Sequence, residues 1–343
     1  MAKATKSIVT IIPYYNGSKT IEQAVQSALG QTVVPDELIV VNDGSRKEEA
    51  DFLHKLAKKL KFRVIDQENG GQGAARNAGV AASKSDYVCF LDQDDFYLKN
   101  HNELLLGAIP DDDPHFGWAY GDVCEADGNG NLISTSMIKD FSKHPKTNIM
   151  EMLKGDLFIL PTASIISREA YEAVGGFDPQ FTGYEDDDLF VRIFRKGFTN
   201  YYLDRAVSVW CIHGESTSYS IKMAQSRFRY FKKLVESFPD EPLRDRYYLR
   251  QCLYPRFNEL VAVDAYRSLL EMNPERDGVL AANKSETMRI LSEFTDICLK
   301  NDNLLPRQRK RLALQKFVLL KNSRFLAKWA LRAMRLARFS VRH

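Results

Sequence analysis

The first hundred residues alternate short apolar runs with amphipathic stretches. Residues 7–12 form a nearly continuous β-branched run, the pattern of a buried strand. Residues 20–29 place Ile21, Ala24, Val25, Ala28 and Leu29 at three- and four-residue spacing, which predicts a helix with one apolar face. The alternation continues with a strand at 37–41, a helix at 48–60, a strand at 62–66, a small-residue helix at 73–82 and a strand at 85–91. Such a pattern predicts βαβ units in an α/β, Rossmann-like fold, with a mostly parallel sheet and helices on both faces. Residues 111–148 read as loop-rich, with a hairpin around Asp127-Gly128-Asn129-Gly130. Apolar runs return at 157–167 and 207–212, flanking a helix at 186–196. Beyond about Ser220 helical spacing takes over, with Phe228, Phe231, Leu234 and Val235 on one face. The expected organisation is an α/β domain over 1–220, a helical region over 221–306 and a separate tail over 307–343.

Composition narrows the class. With 343 residues, 44% of them hydrophobic and 27% charged, the chain is an ordinary globular protein of one large or two smaller domains. No apolar run approaches the roughly 18 residues of a membrane span, and the run at 8–12 behind Lys3 and Lys6 is too short for a signal-peptide core. Cys89, Cys124, Cys211, Cys252 and Cys298 are scattered and form no CxxC pair, so they read as reduced thiols of a cytoplasmic protein.

Charge is distributed unevenly. Residues 307–343 carry twelve Lys or Arg and no Asp or Glu. The whole chain has 48 basic and 45 acidic residues, so residues 1–306 hold 36 and 45, a net of −9. On a helical wheel Arg324, Lys328, Arg332, Arg335 and Arg338 lie opposite Phe325, Leu326, Trp329, Ala333, Leu336 and Ala337. A basic face opposite an apolar one with Trp suits an anionic membrane surface, each cation adding about 1 kcal/mol near it. Docking on the acidic body or oligomerisation through the apolar face is the competing reading. Nucleic acid is not expected, because no basic stripe with stacking aromatics appears elsewhere.

Open α/β sheets bind ligands at the carboxyl edge of their strands, which directs attention to three strand ends. The first is followed by Pro13-Tyr14-Tyr15-Asn16-Gly17, the second by Asn42-Asp43-Gly44-Ser45, and the fourth by Asp92-Gln93-Asp94-Asp95. Each alone is compatible with turn chemistry. Together on one edge they offer an aromatic ring to stack a base, a carboxylate to accept from a base N–H, and clustered carboxylates for a hard divalent cation. Gly71-x-Gly73-x-x-Arg76 approaches a dinucleotide fingerprint, but Arg76 occupies the third glycine position and the segment follows the third strand, which argues against an NAD-dependent oxidoreductase.

Several segments, in this order and spacing, resemble glycosyltransferase family 2. They are Ile12-Pro13-x-Tyr15-Asn16, Ser27-Ala28-Leu29-Gly30-Gln31-Thr32, Val41-Asn42-Asp43-Gly44-Ser45, Ala75-Arg76-Asn77-x-Gly79 and Phe90-Leu91-Asp92-Gln93-Asp94-Asp95. The resemblance continues through Gly175-Gly176-Phe177-Asp178, Gly183-Tyr184-Glu185-Asp186 and His213-Gly214-Glu215-Ser216-Thr217-Ser218, covering roughly residues 5–220. It implies a GT-A fold and an inverting, metal-dependent transferase that uses a nucleotide-sugar. It also implies that Pro13, Tyr15, Asn16, Asp43, Arg76 and Asp92 bind the donor, Tyr15 stacking on the base and Asp43 accepting from it. Asp94 and His213 would hold Mn²⁺ or Mg²⁺, with Asp92 near the ribose or the metal. Asp186 would be the catalytic base. Glu185 is followed by three Asp residues, which leaves both Asp186 and Asp187 open for that role, and a helix N-terminus welcomes carboxylates on its own account.

The expected activity is inverting hexosyl transfer from a nucleotide diphosphate donor to a hydroxyl of a growing surface glycan or lipid-linked saccharide, as in polysaccharide biosynthesis. UDP is the expected carrier and dTDP the alternative, since a carboxylate at Asp43 suits the N3–H that uracil and thymine share. Such an enzyme would be peripheral at the inner face of the cell membrane. A nucleotide-sugar-binding protein or inactive transferase paralogue, keeping the fold without turnover, is the rival reading.

Overall fold

The structure, a computed structural model, describes residues 6–128, 130–212, 221–271, 273–321 and 323–328. Two compact units divide the chain, the first reaching Ser216 and the second beginning at Thr217, with Leu153–Gly155 assigned to the second.

The first unit is built on one nine-stranded sheet. Its strands are β1 (Ile8–Tyr14), β2 (Glu37–Asp43), β3 (Arg63–Gln67), β4 (Tyr87–Phe90), β5 (Phe96–Tyr97), β6 (Phe116–Ala126), β7 (Leu132–Ser134), β8 (Ser164–Ser167) and β9 (Thr199–Cys211). The order is β3-β2-β1-β4-β8-β6-β9-β5, with β7 paired to β6. Strands β1 to β4 pair in parallel, as the strand–helix alternation predicts. Beyond β4 the sheet becomes mixed: β8 runs antiparallel to both β4 and β6, and β9 runs parallel to β6. The helices of the parallel half are α1 (Ile21–Leu29), α2 (Lys47–Leu60) and α3 (Gln72–Ala81). In α1 the buried residues are Ile21, Ala24, Val25 and Ala28, four of the five that the spacing selects. The helices α4 (His101–Gly107), α5 (Ile149–Lys154), α6 (Arg168–Ala173) and α7 (Glu185–Arg195) follow.

The stretch expected to be loop-rich contains β6, an eleven-residue strand that is buried almost throughout. Its sequence conceals it, because Gly117, Gly121 and Asp122 interrupt the apolar run. Gly121 stands where β9 crowds in: a Cβ there would meet the carbonyl oxygen of Arg205 at 2.7 Å. Asp122 is buried but not stranded, since its carboxylate accepts from the backbone N–H groups of Val123, Met137 and Ile138 (2.7, 2.9 and 2.6 Å) and from Ser136 Oγ (2.5 Å). The hairpin expected at 127–130 is present: Asp127 N–H donates to Asn131 O, Gly130 N–H to Asp127 O, and β7 returns along β6. All five cysteines are buried free thiols.

The second unit is helical, with α8 (Ile221–Ser237), α9 (Tyr254–Leu270), α10 (Pro274–Ala282), α11 (Lys284–Lys300) and α12 (Pro306–Leu320). Phe228, Phe231, Leu234, Phe257, Leu291 and Phe294 are buried within it. The expected boundary at 306 coincides with the start of α12. α12 buries Leu312, Val318 and Leu319, and Arg309 donates to the carbonyls of Leu299 (2.8 Å) and Asn301 (2.5 Å), tying α12 to the end of α11. The predicted amphipathic face at 324–338 lies mostly outside the described residues.

Candidate active site

The carboxyl ends of β1, β2 and β4 lie side by side, so the three polar segments singled out in the sequence share one edge. At the end of β1, Pro13 is buried opposite Val41 and Tyr14 donates to Glu49 Oε2 (2.9 Å). The next residue, Tyr15, is 51% exposed. Asn16 then adopts a left-handed backbone (φ 49°), its N–H donating to Ser45 Oγ (3.0 Å) and its Oδ1 accepting from Arg46 N–H (2.9 Å). Asn16 therefore ties the β1 loop to the β2 loop.

At the end of β2, Asp43 is buried. Its Oδ1 accepts from Gln67 Nε2 (2.7 Å) and Gly70 N–H (2.8 Å), and its Oδ2 from Gly71 N–H (2.8 Å). Two carboxylate oxygens offer about four acceptor sites, so Oδ2 retains capacity for one further donor.

At the end of β4, Asp92 Oδ1 accepts from Arg76 Nη2 (2.6 Å) and from Gln72 Nε2 (2.7 Å). Asp94 is half-buried. Asp95 is buried and turned inward, accepting from Cys211 N–H (2.9 Å) and Thr162 Oγ1 (3.4 Å). Burial, then repulsion from Asp92 and Asp94, pushes its pKa well above the usual carboxylate range.

Arg76 is the hub. It lies on the buried face of α3, with Nη1 3.6 Å from Glu185 Oε1 and the guanidinium 5.0 Å from the Phe177 ring centroid. Burial opposes its charge, but Asp92 and Glu185 outweigh that and raise its pKa. Arg76 Nε and Glu185 Oε2 are buried without a hydrogen-bond partner among the described residues. Asn77, the next residue, fixes the Phe177 loop: its Nδ2 donates to Phe177 O (2.8 Å) and its Oδ1 accepts from Phe177 N–H (2.9 Å).

Glu185 opens α7, whose first turn is Glu185-Asp186-Asp187-Asp188. Asp188 pairs with Arg192 (2.8 Å) and is buried. Asp187 is buried too and accepts from Leu157 N–H (3.1 Å). Asp186 keeps partial solvent exposure, and its Oδ1 accepts from Asp187 N–H (2.8 Å). Desolvation, then repulsion from Asp187 and Glu185, raises its pKa well above the ordinary value.

Of the residues named from the sequence, Tyr15, Asn16, Asp43, Arg76, Asp92 and Asp94 are brought to this edge, and Pro13 lies just beneath it. Arg76 links the edge to the α7 turn that carries Asp186. His213 lies outside the described residues. Among the described residues no group of three or more His, Cys, Asp or Glu side chains is arranged to hold a metal. Sequence reasoning missed Gln72 and Gln93, whose amides bind Asp92 and the Tyr15 backbone, because a lone Gln carries no pattern. Two other histidines, His101 and His144, are packing residues: His101 stacks on Tyr97 with ring centroids 3.6 Å apart, and His144 packs between Tyr120 and Tyr202. Burial lowers their pKa values to about 3 and about 4.

The sheet edge thus gathers an aromatic ring, a buried carboxylate, a buried arginine and an acidic triplet, the set that the resemblance to glycosyltransferase family 2 implies. Comparison with known proteins agrees. Residues 9–175 match the family described as Glycosyl transferase family 2, and residues 160–213 match the N-terminal domain of galactosyltransferase. The first match assigns residues 9–175 to glycosyltransferase family 2. An uncharacterized glycosyltransferase of Rickettsia conorii is 34% identical over 189 residues, 54% of this chain and 31% of that protein. The chondroitin synthase of Pasteurella multocida is 28% identical over 209 residues, 60% of this chain and 21% of that protein. The chain thus spans less than a third of the length of either relative. Among solved structures, S. aureus TarS residues 1–349 in complex with UDP-GlcNAc superimposes with a TM-score of 0.64 at 17% identity, covering 95% of this chain and 92% of that one. That likeness shows the fold.

Proposed function

We propose that this chain is an inverting, divalent-metal-dependent glycosyltransferase that moves a sugar from a nucleotide diphosphate to a hydroxyl of a growing surface glycan or lipid-linked saccharide. The observation that carries the proposal is Arg76, buried between Asp92 at the end of β4 and Glu185 at the start of α7. It joins the donor edge to the turn bearing Asp186. Its Nε and Glu185 Oε2, both without a hydrogen-bond partner among the described residues, suit a polar ligand.

The roles follow from the chemistry. Tyr15 stacks on the base, and Pro13 and Asn16 act by fixing the backbone that presents it. Asp43 accepts the base N3–H on Oδ2, which favours UDP, with dTDP the second candidate. Arg76 holds Asp92 and lies close to the anionic donor. Asp186 takes the proton of the acceptor hydroxyl as general base. Its partial exposure distinguishes it from Asp187 and Asp188, which are buried and engaged with Leu157 N–H and Arg192. The all-oxygen donor set of Asp92 and Asp94, with the crowding that raises Asp95, fits a hard cation such as Mn²⁺ or Mg²⁺, and His213 would complete it. When bound, such a cation stabilises charge on the leaving diphosphate.

The site of action is the inner face of the membrane. No helix among the described residues is long and apolar enough to cross a bilayer. On α12, however, Leu314, Phe317 and Leu320 are exposed beside Arg307, Lys310, Arg311 and Lys321. This mixed apolar and basic surface suits anionic lipid.

A thermal-shift panel of UDP, dTDP, GDP and CMP, each with and without Mn²⁺, tests the donor site. A ligand at a hundred times its Kd stabilises by about 2.7 kcal/mol, and UDP with Mn²⁺ is expected to give the largest shift. No shift with any nucleotide would overturn the proposal. UDP-GlcNAc, bound by the TarS neighbour, is the first donor to try for turnover. Binding without hydrolysis or transfer, whatever donor and acceptor are offered, would leave a nucleotide-sugar-binding protein.

A further inference from the structure

Gln93 separates Asp92 from Asp94, and its side chain reaches back to the strand on its other flank. Tyr15 N–H donates to Gln93 Oε1 (2.9 Å), and Gln93 Nε2 donates to Tyr15 O (3.3 Å). The reason lies in the sheet. β4 pairs with β1 only as far as Ile11 opposite Phe90, with Leu91 N–H donating to Ile11 O (3.0 Å) just beyond. Past that point β1 has no strand on its β4 side among the described residues, while β2 still accompanies it to Tyr14 opposite Asn42. The Gln93 amide presents one donor and one acceptor to Tyr15, as a neighbouring strand would. On the opposite flank the Asn16–Ser45 bond holds the next residue.

Gly17 makes room for this amide. A Cβ at Gly17 would lie 2.5 Å from Gln93 Cδ and 2.8 Å from Nε2, and it would overlap Oε1. Gly17 is not among the residues with a positive φ, so its backbone does not demand glycine. The space taken by Gln93 does.

We propose that Gln93 is a positioning residue that holds Tyr15 in its base-stacking place and couples the base subsite to the acidic segment in which Gln93 itself sits. The inference rests on the reading of Tyr15 as the base-stacking residue. Base stacking on an aromatic ring carries a substantial share of nucleotide affinity, so loosening Tyr15 weakens nucleotide binding by about tenfold. Binding of the diphosphate moiety does not depend on it.

The test is calorimetry on the full chain with two probes, Mn²⁺ with UDP and Mn²⁺ with inorganic pyrophosphate. Gln93→Ala and Gly17→Ala are each expected to lower UDP affinity about tenfold while leaving pyrophosphate affinity within about twofold. The double variant should bind UDP no more weakly than either single, because the new Cβ then fits the space left by the amide. In a Tyr15→Ala background, Gln93→Ala should have no further effect. Unchanged UDP affinity in both single variants overturns the inference, as does a parallel fall in pyrophosphate affinity or a double variant in which the two losses multiply. Failure of the wild type to bind UDP at all would instead remove the donor reading, and this inference with it. Should Gln93→Ala fail to fold, the comparison of Gly17→Ala with the wild type decides alone.

Discussion

Arg76 Nη2 lies 2.6 Å from Asp92 Oδ1, and this pair joins the buried face of α3 to the end of β4. The Arg76 side chain is only 3% exposed, and its second contact, Glu185, is also largely buried. Removing one member of a buried ion pair leaves the other charge uncompensated, which typically costs about 3–5 kcal/mol. Arg76→Ala is therefore expected to destabilise the protein by about that amount in urea denaturation. Arg76→Lys keeps the charge but lacks the fork that meets two carboxylates, so it should fall between the wild type and alanine. A lysine variant as stable as the wild type would show that the fork is not needed.

Asp122 offers a second test, away from the proposed chemistry. Burial opposes its ionisation, but hydrogen bonds from Ser136, Ile138, Met137 and Val123 win and lower its pKa. Because the folded value lies below the unfolded one, its stabilising contribution is fully present above the unfolded pKa of about 3.9 and is lost as pH falls through the folded value. Asp122→Ala leaves the Met137 and Ile138 N–H groups without this acceptor and is expected to cost about 3 kcal/mol at pH 7. The gap between wild type and variant should narrow as denaturation curves are taken to lower pH.

Asp122 also marks where the sequence stops being readable. Strands β1 to β4 and helix α1 are legible because their apolar positions recur at the period of the element. β6 is equally buried, yet it carries an acid three of whose four partners lie 14 to 16 residues away in sequence and glycines whose reason is the approach of β9. Nothing local announces either. The candidate site divides in the same way. Tyr15, Asp43 and Asp92 were legible as polar residues placed after strands. The Tyr15–Gln93 pairing spans 78 residues, and the link from Arg76 to Glu185 spans more than a hundred, so both depend on tertiary structure. The different surroundings of Asp186 and Asp187 depend on tertiary structure in the same way. Neighbouring carboxylates on a helix point to different surroundings, and only packing reveals that Asp187 meets Leu157 N–H.

The α12 surface predicts lipid binding that can be removed without unfolding. Leu314 and Phe317 are 61% and 58% exposed, so charging them should not disturb the core. The double variant Leu314→Glu/Phe317→Glu is expected to lose most co-sedimentation with anionic vesicles, and its melting temperature should stay within a few degrees of the wild type. Wild-type binding to anionic but not to zwitterionic vesicles, weakened by salt, would agree with a basic surface. A double variant that binds as well as the wild type would exclude this face of α12 as the contact.

Asp186, the proposed base, shifts its pKa in the opposite direction to Asp122. Its folded pKa is raised, by desolvation first and then by Asp187 and Glu185. Ionising it therefore costs more in the folded than in the unfolded protein. That penalty is absent below the unfolded pKa of about 3.9 and fully present above the folded value. Asp186→Asn removes a charge the fold does not favour, so the ligand-free variant should melt above the wild type at pH 8 and converge with it as pH approaches about 4. The same substitution removes the proposed base and should lower turnover by about 10²–10⁴-fold with little change in UDP affinity. With Asp186 as the proposed base, wild-type turnover should rise with pH through a midpoint above the ordinary aspartate value. A pH–rate profile and a melting series on the one variant test both halves. Greater stability combined with lost turnover is the signature of a strained catalytic carboxylate, whereas greater stability with turnover intact would move the base elsewhere.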